Sequence, residues 1–347
     1  MASKYYIIAE ATSTSGGPET LHQFAQRLGE YGCDVYIYYI DCVGASVPEK
    51  FIKYNVKTTV TIEDKEENVL IVPESYTDFL FDYKRIQKSI MWLSLDFYLL
   101  TLPWNRTIDT CKRYKIPVLF APFMYGLLNF SKRLRHKVYR FKQKEGDIFH
   151  LYNCEYIREY LVKNNVDQNK MLYLCGPLRD EYFEQVIELD KKENIIVYNP
   201  KKGLDFTSKL ISECEKITKE YCFIPIKDMT PAQIVDLLKK AKLYIDFGYF
   251  PGPERIPREA AMMMCNIITS NIGSASNSQD VLVPYKYEPH KKSVQDILSM
   301  INELVLNYEK HICEYDDYRK KVIKQRDLFY INCGKFVEYY RNKGDNK

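Results

Sequence analysis

The chain has 347 residues, 46% of them apolar and 28% charged, the balance of a folded globular protein and more than one ordinary hydrophobic core can use. Fifty Lys and Arg against forty-six Asp and Glu leave a formal charge of +4, which excludes a polyanion binder working through bulk charge, so any attraction to phosphate must be local. No run approaches the ~20 apolar residues of a membrane span, and Met1-Ala2-Ser3-Lys4 leads straight into a strand, so neither a span nor a signal peptide is expected.

Taken in order, the predicted elements alternate strand and helix. Tyr5–Ala9 is an apolar run followed by a Ser/Thr/Gly loop. A helix then starts near Pro18, carries Leu21, Phe24, Ala25 and Leu28 at helical spacing, and ends before Gly32. Strand-like runs follow at Val35–Ile40, Val69–Val72, Ile90–Leu93, Val118–Ala121 and Ile148–Tyr152. The chain is polar from Arg179 to Glu193, and then the alternation restarts. Ile195–Tyr198, Tyr221–Ile226, Leu243–Phe247 and Asn266–Thr269 read as strands, and Leu204–Ile217 and Pro257–Met264 as helices. Thr230 followed by Pro231 is a strong helix start. A final helical segment from about Tyr315 to Tyr340 has no strand partner. Strands alternating with helices, without hairpin turns, predict an α/β protein with parallel sheets covered on both faces. Two such series predict two Rossmann-like doubly wound domains facing across a cleft: 1–180, 190–313, and terminal helices over 314–347 packing across both.

The ten cysteines are scattered, without a Cys-x-x-Cys pair, and several lie in apolar runs such as Leu172-Tyr173-Leu174-Cys175. They read as reduced core thiols of a cytoplasmic protein, with neither zinc nor redox chemistry.

Parallel open sheets bind ligands beyond the carboxyl ends of their strands, so the loops there carry the functional reading. Thr12–Glu19 contains Gly16 and Gly17 just before a helix whose unpaired N–H groups attract anions, although a Gly-Gly loop is also a common plain turn. Tyr198–Gly203 presents Lys201 and Lys202 from a tight loop, either as phosphate partners or as solvated lysines. Asp246–Ala261 joins a strand to a helix, with Arg255 and Arg258 three apart at its entrance and Glu259 able to accept from a ribose diol. Positive side chains beside a positive helix end repel, and a bound diphosphate would resolve the conflict. Pairing of Glu259 with a neighbouring Arg is the plainer alternative. Ser270–Asn277 adds another Gly/Ser loop, with Gly273 and Ser274 offering backbone N–H groups.

These segments resemble the nucleotide-sugar-binding half of GT-B-fold glycosyltransferases, especially those of bacterial capsule and O-antigen clusters. The matching pieces are Gly16–Gln23, Val69–Glu74, Met91–Asp96, and Tyr244–Gly248 through Arg255–Ala260. The resemblance implies transfer of a sugar from a nucleotide-diphosphate-sugar donor to a saccharide or lipid-linked acceptor. It implies further that the donor lies in the C-terminal domain, with Lys201 or Lys202 and the Gly273-Ser274 loop on the diphosphate and Glu259 on the ribose. Many related retaining enzymes carry a second Glu eight residues earlier; here that position is Pro251, and the nearest acid is Glu254.

Catalysis needs a base for the acceptor hydroxyl or a site that holds the leaving diphosphate. Glu19, Glu74 and Asp96 are the candidates at the first domain's strand ends, with Asp96 and Glu19 foremost; Asp96 could equally cap a helix. No Asp-x-Asp pair is present, so neither metal nor cofactor is expected. His22 reads as a packing residue and His150 as open, while His136, His290 and His311 lie among charges without metal-ligand spacing.

One charge run stands out: Lys132, Arg133, Arg135, Lys137, Arg140, Lys142 and Lys144, seven cations without an acid. Leu127, Phe130, Leu134, Val138 and Phe141 recur every three or four positions, which predicts a basic amphipathic helix whose apolar stripe packs on the sheet. That helix would dock an anionic membrane surface or a lipid-diphosphate acceptor at the inner face of the cell membrane, or be an ordinary solvated helix. RNA-binding signatures are missing, so nucleic acid is not expected. Two rivals remain: a nucleotide-sugar epimerase on the same fold, and a non-catalytic membrane-surface or nucleic-acid-binding module using residues 132–144.

Overall fold

The computed structural model describes residues 3–13, 15–42, 44, 46–130, 137–141, 147–289 and 291–345. The chain divides into two compact units: Met1–Asn153 with Ile157–Gly176 and Leu328–Lys347, and Cys154–Tyr156 with Pro177–Asp327.

Unit 1 is built on a seven-stranded parallel sheet: β1 (Lys4–Ala9), β2 (Asp34–Tyr39), β3 (Lys57–Thr59), β4 (Val69–Pro73), β5 (Gln87–Trp92), β6 (Ile148–Tyr152) and β7 (Met171–Tyr173). The spatial order is β3-β2-β1-β4-β5-β6-β7, so the winding reverses between β1 and β4. Both central strands are buried from end to end, which is why they read as unbroken apolar runs. Helices α1 (Gly16–Glu30), α2 (Phe79–Asp82), α3 (Leu95–Thr101), α4 (Pro103–Arg113), α5 (Ala121–Phe130) and α6 (Glu155–Lys163) follow the strands. Leu21, Phe24 and Leu28 of α1 pack on Tyr5, Ile7 and Ile37 as their spacing predicts.

The strand predicted at Val118–Ala121 does not exist. Val118–Phe120 is a 3-10 turn leading into α5, and all three side chains are exposed. The place such a strand would take in chain order, between β5 and β6, is closed because those two strands pair directly. The predicted basic helix is seen only in part: residues 127–130 are helical within α5, but Leu127 of the expected sheet-packing stripe is exposed, and residues 137–141 are not helical. Phe141 stacks on Trp92 at 5.8 Å, and the Tyr139 N–H donates to Thr77 Oγ1. Lys132, Arg133, Arg135, His136, Lys142 and Lys144 lie outside the described residues, as does His290.

Unit 2 holds a five-stranded parallel sheet of β8 (Glu193–Tyr198), β9 (Cys222–Pro225), β10 (Ala241–Asp246), β11 (Asn266–Ser270) and β12 (Tyr285–Tyr287) in the order β12-β11-β10-β8-β9. Its helices are α7 (Leu204–Ile217), α8 (Pro231–Lys240), α9 (Arg255–Met262), α10 (Val294–Leu306), α11 (Tyr308–His311) and α12 (Asp316–Asp345). Thr230 caps α8 with a full capping box, its hydroxyl accepting from Gln233 N and Gln233 Oε1 accepting from Thr230 N. The polar joint conceals core residues: Tyr182 packs in the unit 2 core, and the Lys192 ammonium is buried and donates to the carbonyls of Leu238, Ala241 and Met263 at 2.6–2.9 Å.

The terminal segment is one long helix whose two halves join different cores. Tyr318 and Val322 of α12 pack in unit 2, and Phe329, Cys333 and Phe336 pack in unit 1. All ten cysteines are thiols rather than disulfides, but only six are core residues as expected: Cys42, Cys222 and Cys313 are exposed and Cys33 is half-buried.

Candidate active site

The strand order in unit 2 reverses between β8 and β10, and ligands of open parallel sheets bind outside the carboxyl ends at such a reversal. Two loops meet there, Asn199–Gly203 after β8 and Phe247–Glu254 after β10. A third, Asn271–Ser276, follows β11. Two glycines let them approach. Gly203 has φ +60°, and a Cβ there would lie 2.7 Å from the Phe247 carbonyl carbon. Gly273 has φ +67°, and a Cβ there would lie 2.2 Å from the Phe250 oxygen.

Hydrogen bonds then fix the loops to one another. Phe250 N donates to Ile272 O at 3.3 Å, Ser274 N to Phe250 O at 2.8 Å, and Ser274 Oγ to Gly252 O at 2.7 Å. The Ser270 hydroxyl donates to the Gly248 carbonyl. Asp246 closes the base of the β10 loop by accepting from Gly248 N at 3.0 Å and from the Tyr244 hydroxyl at 3.0 Å. Burial pushes its carboxyl up to about 6, against the pull of the Gly248 amide, the Lys202 ammonium and the Tyr244 hydroxyl.

Glu259 lies in the second turn of α9 and is 8% exposed. Burial raises its pKa; the charges of Arg255, Arg258 and Arg179 and the donating hydroxyl of buried Tyr182 act the other way. The carboxylate therefore lies in the field of three guanidinium groups and accepts from one hydroxyl, an environment that favours its role as an acceptor. Lys202 Nζ pairs with Glu254 Oε1 at 2.6 Å and lies 5.4 Å from the centre of the Phe250 ring. Lys201 is exposed, its amide donating to Asn199 Oδ1 at 3.0 Å.

Two predicted diphosphate ligands have other work. Arg258 is buried, and its guanidinium donates to Glu254 O at 3.1 Å, Pro253 O at 3.2 Å and Gln325 Oε1 at 3.4 Å. The loop's own carbonyls offset the repulsion at the helix entrance. Ser274 is likewise buried with both its amide and its hydroxyl turned to the β10 loop, so it braces that loop instead of presenting N–H groups to phosphate. Sequence reasoning overlooked Tyr182 and Arg179 in the polar joint, although their spacing on a 3-10 turn sets them on one side. It also overlooked the brace formed by Tyr244 and Asp246.

In unit 1 the corresponding reversal lies between β1 and β4, and its loops carry acids. Asp41 accepts from the amides of Ala11 at 2.7 Å and Thr12 at 2.9 Å, and from the Thr12 hydroxyl. Against a desolvation push upward, those donors hold its carboxyl down at about 2. Gly16 and Gly17 open α1, where a Cβ on Gly17 would make only ordinary contact with Leu93 at 3.5 Å, so position 17 does not demand a glycine. Glu19 is 2% exposed and accepts from the Tyr54 hydroxyl at 2.9 Å, which makes it a packing carboxylate rather than a base open to an acceptor.

Glu74 is buried and accepts from Leu93 N at 2.8 Å and Ser94 N at 3.0 Å; burial pushes its carboxyl up to about 7 despite those donors. Ser94 caps α3 by accepting from Phe97 N, so Asp96, half-buried in the first turn, is not the cap. Both unit 1 histidines with described surroundings are packing residues. His22 bridges Pro18 O at 2.7 Å and the Tyr39 hydroxyl at 2.8 Å, and His150 Nδ1 accepts from Trp92 Nε1 at 3.0 Å with its pKa pushed down to about 3 by burial. Among the described residues no group of three or more His, Cys, Asp or Glu could hold a metal ion.

No protein-family profile and no curated protein matches the chain. Solved structures do. A glycosyltransferase from Rickettsia africae ESF-5 matches over 100% of both chains at 12% identity with a TM-score of 0.59. Sucrose-phosphate synthase from Thermosynechococcus elongatus matches over 99% of this chain and 100% of its own at 10% identity, TM-score 0.62. Anabaena Alr3699/HepE, solved in complex with UDP-glucose, matches over 97% and 99% at 9% identity, TM-score 0.60.

The fold is GT-B. In GT-B terms, unit 1 is the N-terminal half and unit 2 the C-terminal half, and the loops around Glu259 belong to the second.

Proposed function

We propose that the protein is a glycosyltransferase that moves a sugar from a nucleotide-diphosphate-sugar donor to a saccharide or lipid-linked acceptor, in the synthesis of bacterial surface polysaccharide. The observation that carries the reading is Glu259, a buried carboxylate at the strand-order reversal of unit 2, facing Arg255, Arg179 and Tyr182. A ribose diol supplies two hydroxyl donors, and a carboxylate held in this way accepts both. Lys201, Lys202 and Arg255 surround the same loops and would hold the diphosphate, stabilising the charge that develops as the sugar leaves. Lys202 reaches that role by exchanging Glu254 for phosphate.

Asp96 is the candidate base for the acceptor hydroxyl in unit 1. No metal or cofactor enters this reading, since the sequence has no Asp-x-Asp pair. Support for the donor class comes from Alr3699/HepE, which shares the fold and was solved with UDP-glucose. The cationic run Lys132–Lys144 favours a place of work at the inner, cytoplasmic face of the cell membrane.

A panel of nucleoside diphosphates and nucleotide sugars, scored by the melting temperature of the protein, tests the reading. At a hundredfold excess over Kd, one member should stabilise the fold by about 2.7 kcal/mol. Glu259→Ala should weaken that ligand roughly 10- to 100-fold, the effect of losing charge-assisted hydrogen bonds. The reading fails if no member of the panel shifts the melting temperature, or if Glu259→Ala binds like the parent. Donor consumption that needs no acceptor would point to isomerisation instead.

A further inference from the structure

The outward face of α5 and the turn before it have the wrong polarity for contact with water. Leu119 is 86% exposed, Phe123 67%, Leu127 56% and Phe120 53%. Phe120, Phe123 and Leu127 stand at i, i+3 and i+7, one face of a helix, while Ala121 on another side is buried. The α5 sequence, APFMYGLLNF, contains no charge at all. Trp104 of α4, half-exposed, packs on Tyr125 of α5 with ring centres 5.6 Å apart and widens the same patch.

The stretch of sequence that carries the patch is as one-sided in charge as the patch is in polarity. From Thr110 to Lys144 the sequence has ten cations (Lys112, Arg113, Lys115, Lys132, Arg133, Arg135, Lys137, Arg140, Lys142 and Lys144) and no Asp or Glu. Among the described ones, Lys112, Arg113, Lys115, Lys137 and Arg140 are exposed. An apolar centre with an excess of cations beside it, one of them (Arg113) paired with Asp109 at 3.1 Å, complements a surface with a hydrocarbon interior and anionic headgroups. A second copy of this chain would set the same ten cations against themselves. A ten-residue helix rises ~15 Å, half of what a span needs, and no described helix is long and apolar enough to cross a membrane.

We propose that the protein docks on anionic phospholipid bilayers by inserting the Leu119, Phe120, Phe123 and Leu127 face of α5 at the headgroup boundary, with the flanking cations on lipid phosphates. This moves the membrane contact away from charge alone, the basis on which the sequence suggested it, to an apolar wedge with a cationic rim. It does not rest on the donor reading, since a vesicle carries no nucleotide sugar, and either can fail without the other.

The test is flotation of the full chain with vesicles of phosphatidylglycerol and phosphatidylcholine in equal parts, against phosphatidylcholine alone. The expected result is partition to the anionic vesicles only. Phe120→Ser with Phe123→Ser should weaken it at least tenfold at unchanged charge and unchanged melting temperature. The two tryptophans give a second readout: Trp92 is fully buried and Trp104 is 47% exposed. Vesicles should therefore blue-shift the emission, and Trp104→Phe should abolish the shift. The proposal is overturned if the chain ignores anionic vesicles, or if the double serine variant binds them as the parent does. It is equally overturned if light scattering finds a dimer that the double variant dissociates.

Discussion

The two sheets offer the same kind of ligand position and fill it with opposite charge. At the reversal in unit 1 the loop amides of Ala11 and Thr12 are already taken by Asp41, and the carboxylates of Glu19 and Glu74 are buried nearby. At the reversal in unit 2 cations outnumber acids, with Lys201, Lys202, Arg255, Arg258 and Arg179 against Asp246, Glu254 and Glu259. On the proposed reading, a phosphate-bearing ligand belongs at the second arrangement rather than the first. The difference lies in the loops rather than in the sheets, both parallel and buried on both faces, so one architecture carries two chemistries.

Breaking the second region is the more drastic change. Gly273→Ala places a methyl carbon where the Phe250 oxygen stands 2.2 Å away, at a φ of +67° that side chains rarely adopt. It should cost unit 2 on the order of 3 kcal/mol in urea unfolding and abolish nucleotide-induced stabilisation. Gly17→Ala, in the first turn of α1 in unit 1, meets only Leu93 at 3.5 Å and should change stability by less than ~0.5 kcal/mol. Equal costs at the two positions would erase the contrast between a loop that needs its glycine and a helix start that does not.

The acids of unit 1 should announce themselves through pH. The Glu74 carboxyl titrates at about 7 in the fold, against 4.5 for the ordinary group. Between those values the folded protein holds the proton more tightly than the unfolded chain. Its contribution is therefore fully present below pH 4.5 and is lost as pH rises through 7, a change of about 3 kcal/mol. Comparing unfolding curves of the parent and Glu74→Gln from pH 4.5 to 8 isolates the effect, which the variant should lack. Asp41 has the opposite sign. Its carboxyl is held at about 2, so its stabilisation is present above pH 3.8 and fades as pH falls towards 2. Asp41 is solvent-exposed, and Asp41→Asn should cost only about 1 kcal/mol at neutral pH.

Much of this was legible in the amino-acid order, for reasons that particular residues make plain. β1 and β4 are buried on both faces and so leave uninterrupted apolar runs, while Thr230-Pro231 announces its helix through the cap it makes. The edge strands β3 (Lys-Thr-Thr) and β12 (Tyr-Lys-Tyr) escaped notice because three partly exposed residues carry no pattern to read. Val118–Ala121 misled in the other direction, since apolar residues imply burial only when something is there to bury them. At the site, Glu259 and its arginines share one helix start and were visible together. Tyr182, which donates to Glu259, comes from a segment whose polarity looked like a linker, and pairing across the chain leaves no local trace.

The smallest effect sharpens the contrast most. Lys202 and Glu254 face each other at 2.6 Å with 23% of each side chain exposed, so breaking the pair should alter stability by no more than ~1 kcal/mol. Their consequences for a diphosphate ligand should nevertheless diverge. Lys202→Met removes a cation from the loops and should weaken binding about tenfold, whereas Glu254→Gln releases the ammonium and should strengthen it by a similar factor. Calorimetric titration of both variants with the nucleoside diphosphate found in the panel would measure the two shifts. If both weaken binding, Glu254 is itself a ligand of the donor, standing in for the acid absent at Pro251. If they move in opposite directions, Glu254 restrains Lys202 until phosphate displaces it, and unit 2 holds its own acid where unit 1 holds Asp41, differing only in that its acid can be exchanged.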